Sequence, residues 1–158
     1  ATFLPSANFK SLLAPGGARA AFLKLNPNSG FVETTKFLVL PEAWLTRAPY
    51  IYFRLAELYL NRAEAYAKLG NVAKAKENLK TIHTRAGLPA ADVDNLATAD
   101  VLPAVLKERR IELAFEGHNS FDYFRNGLPM TRTAADNNGT AFTIEPTDPK
   151  VILDLPKN

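Results

Sequence analysis

Four ionisable residues, Glu108, Arg109, Glu112 and Glu116, sit inside an apolar pattern in the stretch KERRIELAFEGHNSFDYFRNG, residues 107–127. Three chemistries fit them: paired carboxylates for hydrolysis, a clamp for a ligand, or a structural ion-pair network. At ~100° per residue, Arg109, Glu112 and Glu116 fall within the helical arc carrying Leu102 and Val105, and Glu108 falls between Phe115 and Val101. These charges face packing neighbours, while Arg110 points elsewhere. Glu108, Glu112 and Glu116 also stand at i, i+4 and i+8, so they repel one another, and more so where water is scarce. Such a ridge needs cations opposite it or protonation. Arginine suits it best, because its planar fork satisfies both carboxylate oxygens. Arg54, Arg62, Arg85, Arg109 and Arg125 are available. Arg54 and Glu57 repeat the theme at i, i+3, and Glu57, Asn61, Glu64 and Lys68 share one helical face.

Hydrolysis by Glu112 or Glu116 would need a cleft and an unpaired acid with a raised pKa. The abundance of arginine argues for a structural network instead, with no catalytic residue. His83 and His118 lie far apart and form no metal-binding spacing, so no metal or cofactor is expected. Gly16-Gly17 lacks the lysine and helix of a phosphate loop.

The elements that must hold these residues are helical. YIYFRLAELYLNRAEAYAKLG, residues 50–70, reads as one helix with Gly70 as its stop. Asn71 caps the next, whose stripe is Val72, Ala75, Leu79, Ile82 and Ala86, ended by Gly87. Together they make an antiparallel hairpin. Residues 87–100 read as loop, with Asp100 as N-cap of a third helix running from about Val101 to about Glu116. SFDYFRNG, 120–127, reads as a short fourth helix. Residues 1–49 read as irregular, with one short strand within 30–40. From Leu128 the chain reads as surface loop, turning apolar again at VILDLPKN.

The 158 residues suffice for one domain with a core. The net charge of +3 is scattered among acids, so no nucleic-acid partner is expected. The absence of cysteine excludes a disulfide, a thiol nucleophile and a lipid-attached cysteine within this sequence. Its loop-like opening without Met, and its abrupt end, read as a fragment.

RLAELYLNRAEA (54–65), TRAGL (84–88) and KERRIELAFEGHNSFDYFRNG (107–127) resemble the C-terminal half of SusD/RagB proteins. Asn119 departs from the family's usual arginine. LPKN resembles the start of the family's closing I-P-x-x-E segment. The resemblance implies an all-α fold of tetratricopeptide-like hairpins with long irregular loops. On that reading 1–49 is loop-rich, 50–128 is the helical region, and 129–158 is surface loop and truncated end. Ala63, Tyr66, Gly70, Ala75, Leu79 and Ile82 match the small and large positions of such a repeat. Only one unit is clear, so apolar surface should lie open for a missing N-terminal half to cover. The structural network then comprises Arg54, Glu57, Arg85, Glu108, Arg109, Glu112, Glu116, Asp122 and Arg125.

The resemblance further implies a non-enzymatic protein that is lipid-anchored on the outer membrane. It would bind glycan or another nutrient and work with a TonB-dependent, SusC-like transporter. A tetratricopeptide-type adaptor is the alternative. Sugars stack on exposed aromatic rings and hydrogen-bond to polar side chains, which makes Trp44, with Arg47, Tyr50 and Asn26, the ligand-binding candidates. Tyr59, Tyr66, Phe115, Phe121 and Phe124 are expected in the core. His83 is expected to be a surface or hydrogen-bonded helix residue.

Overall fold

Small and branched apolar residues alternate along two successive helices, and that alternation builds the core. The computed structural model describes residues 4–13, 17–36, 53–137 and 139–151. The elements are α1 (Ala7–Leu13), β1 (Leu23–Leu25), β2 (Val32–Thr34), α2 (Leu55–Lys68), α3 (Val72–Arg85), α4 (Ala91–Asp94), α5 (Val101–Glu112), α6 (Asn119–Arg125), β3 (Met130–Arg132) and β4 (Phe142–Ile144). Contacts group them into two units, Ala1–Glu116 and Gly117–Asn158.

In the first unit α2 and α3 form the expected hairpin. Gly70 takes φ 75, the left-handed conformation that ends α2 cheaply. Asn71 Oδ1 then accepts from the Lys74 amide at 3.2 Å and caps α3. Leu60, Ala63, Ala75, Leu79 and Ile82 are buried and pack with Val101 and Val105 of α5. Burial of each large side chain contributes about 1.5–3 kcal/mol, and the two alanines let the hairpin's helices approach closely. Tyr59 and Tyr66 pack against this core.

The connector to α5 is more ordered than its composition implies. It contains α4, held against α3 by two lysines. Lys76 Nζ donates to the carbonyls of Asp94 and Leu96 at 3.0 and 2.6 Å, and Lys80 pairs with Asp94 at 2.6 Å. Asp100 is not a side-chain cap as expected. It closes a 3-10 turn, Thr98–Asp100, and makes no capping hydrogen bond.

The N-terminal region is not wholly irregular. β1 and β2 pair antiparallel, with Leu23 opposite Thr34 and Leu25 opposite Val32. α1 packs Phe9 and Leu13 on Ile111 of α5. Thus α5 is buried on two sides, one against the hairpin and one against α1.

α5 ends at Glu112, one turn before the expected stop at Glu116. Leu113 to Gly117 form a turn, and Phe115 adopts φ 66, which is rare for a side-chain-bearing residue. The Phe115 ring meets Phe9 edge-on at 5.5 Å between centroids. Cationic side chains take the helix-end carbonyls that further amides would otherwise satisfy. Lys36 Nζ donates to the carbonyls of Glu112 (2.6 Å) and Ala114 (2.9 Å), and Arg54 Nη2 donates to that of Glu112.

The second unit holds α6 and a hairpin where loop was expected. β3 and β4 pair antiparallel, with Met130 opposite Ile144. Thr131 and Thr143 share a hydrogen bond across it at 3.0 Å. Three-residue strands joined by a long connection carry no compact turn signature. Phe121 is 72% exposed and does not belong to the core, because α6 buries none of its residues.

Candidate functional site

The buried charge cluster lies at the C-terminal half of α5. Glu108, Arg109 and Glu112 are all at most 5% exposed. α5 projects Glu108 and Glu112 from successive turns, the turn after it presents Glu116, and four other segments bring the cations Arg19, Lys36, Arg54 and Arg85.

Glu112 is the hub. Its Oε1 accepts from Arg54 Nη1 and Arg85 Nη2, each at 2.5 Å, and its Oε2 lies 3.5 Å from Arg19 Nη1. Burial favours the neutral acid, but the Arg54 and Arg85 guanidiniums outweigh it and hold the Glu112 carboxyl below its ordinary pKa. Arg54 Nε also donates to Glu116 Oε2 at 2.8 Å. Burial works against the Arg54 charge, yet its bonds to Glu116 and Glu112 prevail and raise its pKa further. Lys36 pairs with Glu116 Oε1. Burial is the larger influence there and pulls the Lys36 ammonium below its usual range.

Glu108 is shared between two partners. Oε1 accepts from Arg19 Nη2 at 2.6 Å, and Oε2 lies 3.1 Å from His83 Nδ1, whose Nε2 reaches Asp92 at 3.3 Å. His83 is therefore a hydrogen-bonded helix residue linking α3, α4 and α5. Arg109 crosses to α2, donating to Asn61 Oδ1 at 2.5 Å and lying 3.6 Å from Glu64. Glu57 lies half-buried in the first turn of α2. Asp122 and Arg125 pair with each other in the second unit at 2.7 Å. Among the described residues, no buried side-chain nitrogen or oxygen lacks a hydrogen-bond partner.

Arg19 and Lys36 were not anticipated. Both come from the region read as irregular, and nothing local marks them. The only signal was indirect: three adjacent buried carboxylates require several cations. Gly17 helps place Arg19. At φ +81, a Cβ there would stand 2.5 Å from the Ala86 carbonyl, which instead accepts from the Ala18 amide at 2.8 Å.

Of the ligand-binding candidates, Trp44, Arg47 and Tyr50 lie outside the described residues. Asn26 closes the β1–β2 loop. Its Oδ1 accepts from the amides of Asn28 and Ser29, and its Nδ2 donates to Glu33 at 2.9 Å. Among the described residues no group of His, Cys, Asp and Glu is placed to hold a metal ion, and no helix is long and apolar enough to cross a membrane.

This is a helical-hairpin scaffold protein whose α-hairpin is cross-linked to its neighbours by buried arginine–carboxylate pairs. It belongs to the SusD family, whose model matches residues 26–153. Three crystal structures are similar. One, from Bacteroides vulgatus, is of a protein proposed to bind sugar. It is 30% identical over 94% of this chain and 34% of its own, with a TM-score of 0.74. A SusD superfamily protein from Bacteroides thetaiotaomicron is 30% identical over 92% of this chain and 36% of its own, with a TM-score of 0.71. Another, from Bacteroides vulgatus, is 35% identical over 78% of this chain and 29% of its own, with a TM-score of 0.61. The chain thus spans about a third of the length of these relatives. No curated protein matches it.

Proposed function

We propose that this protein is the helical scaffold part of a non-enzymatic glycan- or nutrient-binding protein. Its place would be the bacterial cell surface, lipid-anchored at the outer membrane and working with a TonB-dependent transporter. The observation that carries this reading is the SusD family match over residues 26–153, joined by a sugar-binding assignment for one relative. The network supports a binding role over a hydrolytic one. Glu112 and Glu116, the acids available for hydrolysis, have their oxygens engaged by guanidinium and ammonium groups. The Glu112 carboxyl is held below its ordinary pKa, whereas a general acid needs a raised one.

Trp44 is the stacking residue in this proposal, with Arg47, Tyr50 and Asn26 as the further ligand-binding candidates. Leu55 and Leu58 of α2 and Leu69 at its C-cap are exposed and fall on one side of the helix. That face supports a protein neighbour, and in a protein of the relatives' length we assign it to further sequence of the same polypeptide. An adaptor binding a separate protein is the second reading of the same face. Affinity electrophoresis across a polysaccharide panel tests the main reading. At least one glycan should retard the wild type and lose that effect in Trp44→Ala. Unchanged mobility in every glycan would count against it, and co-purification of a soluble cytoplasmic partner would favour the adaptor.

A further inference from the structure

A cavity lies in the first unit, with both Arg19 and Glu108 at its wall. It has a volume of about 300 Å³ and sits between the end of α1, α3, the α4 connector and α5. That is about twice the ~150 Å³ of a dry cavity that admits benzene, and at the lower end for small-molecule pockets. Its walls include Leu79, Leu88, Leu96, Ala104 and Ile111, and among the described residues no Phe, Tyr or Trp ring lines it. Carbohydrate stacking is therefore not what it offers.

Its polar edge is uneven. Arg19, His83, Glu108 and Asp92 line it but are committed to one another. Lys107 also lines it, is exposed, and makes no ion pair or side-chain hydrogen bond among the described residues. The pocket thus pairs a mainly apolar interior with a rim cation, Lys107, that is uncommitted among the described residues. We infer that it binds a small amphiphilic monoanion, a carboxylate with a compact aryl or branched-alkyl body. The body would fill the leucine-lined space, and the carboxylate would meet the Lys107 ammonium.

Isothermal titration of the protein with 3-phenylpropionate, and with the uncharged 3-phenylpropanol, tests this. The carboxylate should bind more tightly than the alcohol. Lys107→Met should weaken it about fivefold, as expected for one rim charge, and leave the alcohol's affinity unchanged. Lys107 is exposed, so this variant should fold, with a circular dichroism spectrum like the wild type's. Ala104→Leu, which narrows the cavity, should weaken both compounds. Absence of binding by either compound at 10-millimolar order, or equal binding of both with no response to Lys107→Met, would overturn the inference.

Discussion

Arg19 Nη2 donates to Glu108 Oε1 at 2.6 Å, joining residues 89 apart in sequence, with both side chains at most 7% exposed. The bond fastens the N-terminal region to the helix that carries the charge cluster. Arg19→Ala should therefore destabilise the protein by about 3–5 kcal/mol, since it leaves a buried carboxylate short of its cation. Urea denaturation of Arg19→Ala, Glu108→Ala and the double variant measures the coupling. Additive losses would mean that the two residues act independently.

Glu112 binds three guanidiniums, so Glu112→Ala should cost about 3–5 kcal/mol. A change near zero in the urea midpoint would show a solvated group instead.

The pH dependence follows from the same carboxyl. Its folded pKa is depressed from the ordinary value of 4.5. The unfolded chain therefore binds the proton more readily, and the stabilisation is complete above the unfolded value. It is lost as pH falls from there through the folded pKa. The stability gap between wild type and Glu112→Gln should be constant from neutrality to about pH 5.5, then narrow as the pH falls below about 4.5. Urea midpoints across that range check it, and a gap that widens on acidification contradicts the assignment.

Gly17→Ala should destabilise by about 2 kcal/mol or more, combining a left-handed backbone with a Cβ driven against the Ala86 carbonyl. Gly30→Ala, also at positive φ (69°) but with open space around its Cβ position, should cost only the backbone part. Thermal melts of the two variants separate strain from collision.

Asn71→Ala should cost about 1 kcal/mol through loss of the α3 cap. By contrast, Leu58→Ser should change stability by less than about 0.5 kcal/mol, because that leucine is 49% exposed. Denaturant titration distinguishes the two.

The α2–α3 hairpin was legible in the sequence because its determinants are local. A period of 3.6, Gly70 at a left-handed stop and Asn71 at a cap act within a few residues of one another. The demand for cations was legible too, since like charges on an apolar face must be neutralised wherever the chain goes. Which cations answer could not be read. Arg19 and Lys36 arrive from segments that have no strong periodicity, brought there by a glycine's close approach to Ala86 and by a three-residue strand pair. The early end of α5 was hidden for the same reason. Lys36 and Arg54 capture its last carbonyls through space, and no propensity along the helix encodes that. Sequence thus determined the helical frame and its buried negative charge, because both follow from neighbours along the chain. Tertiary structure decided the partners of that charge, because ion pairing depends on distances that only folding sets.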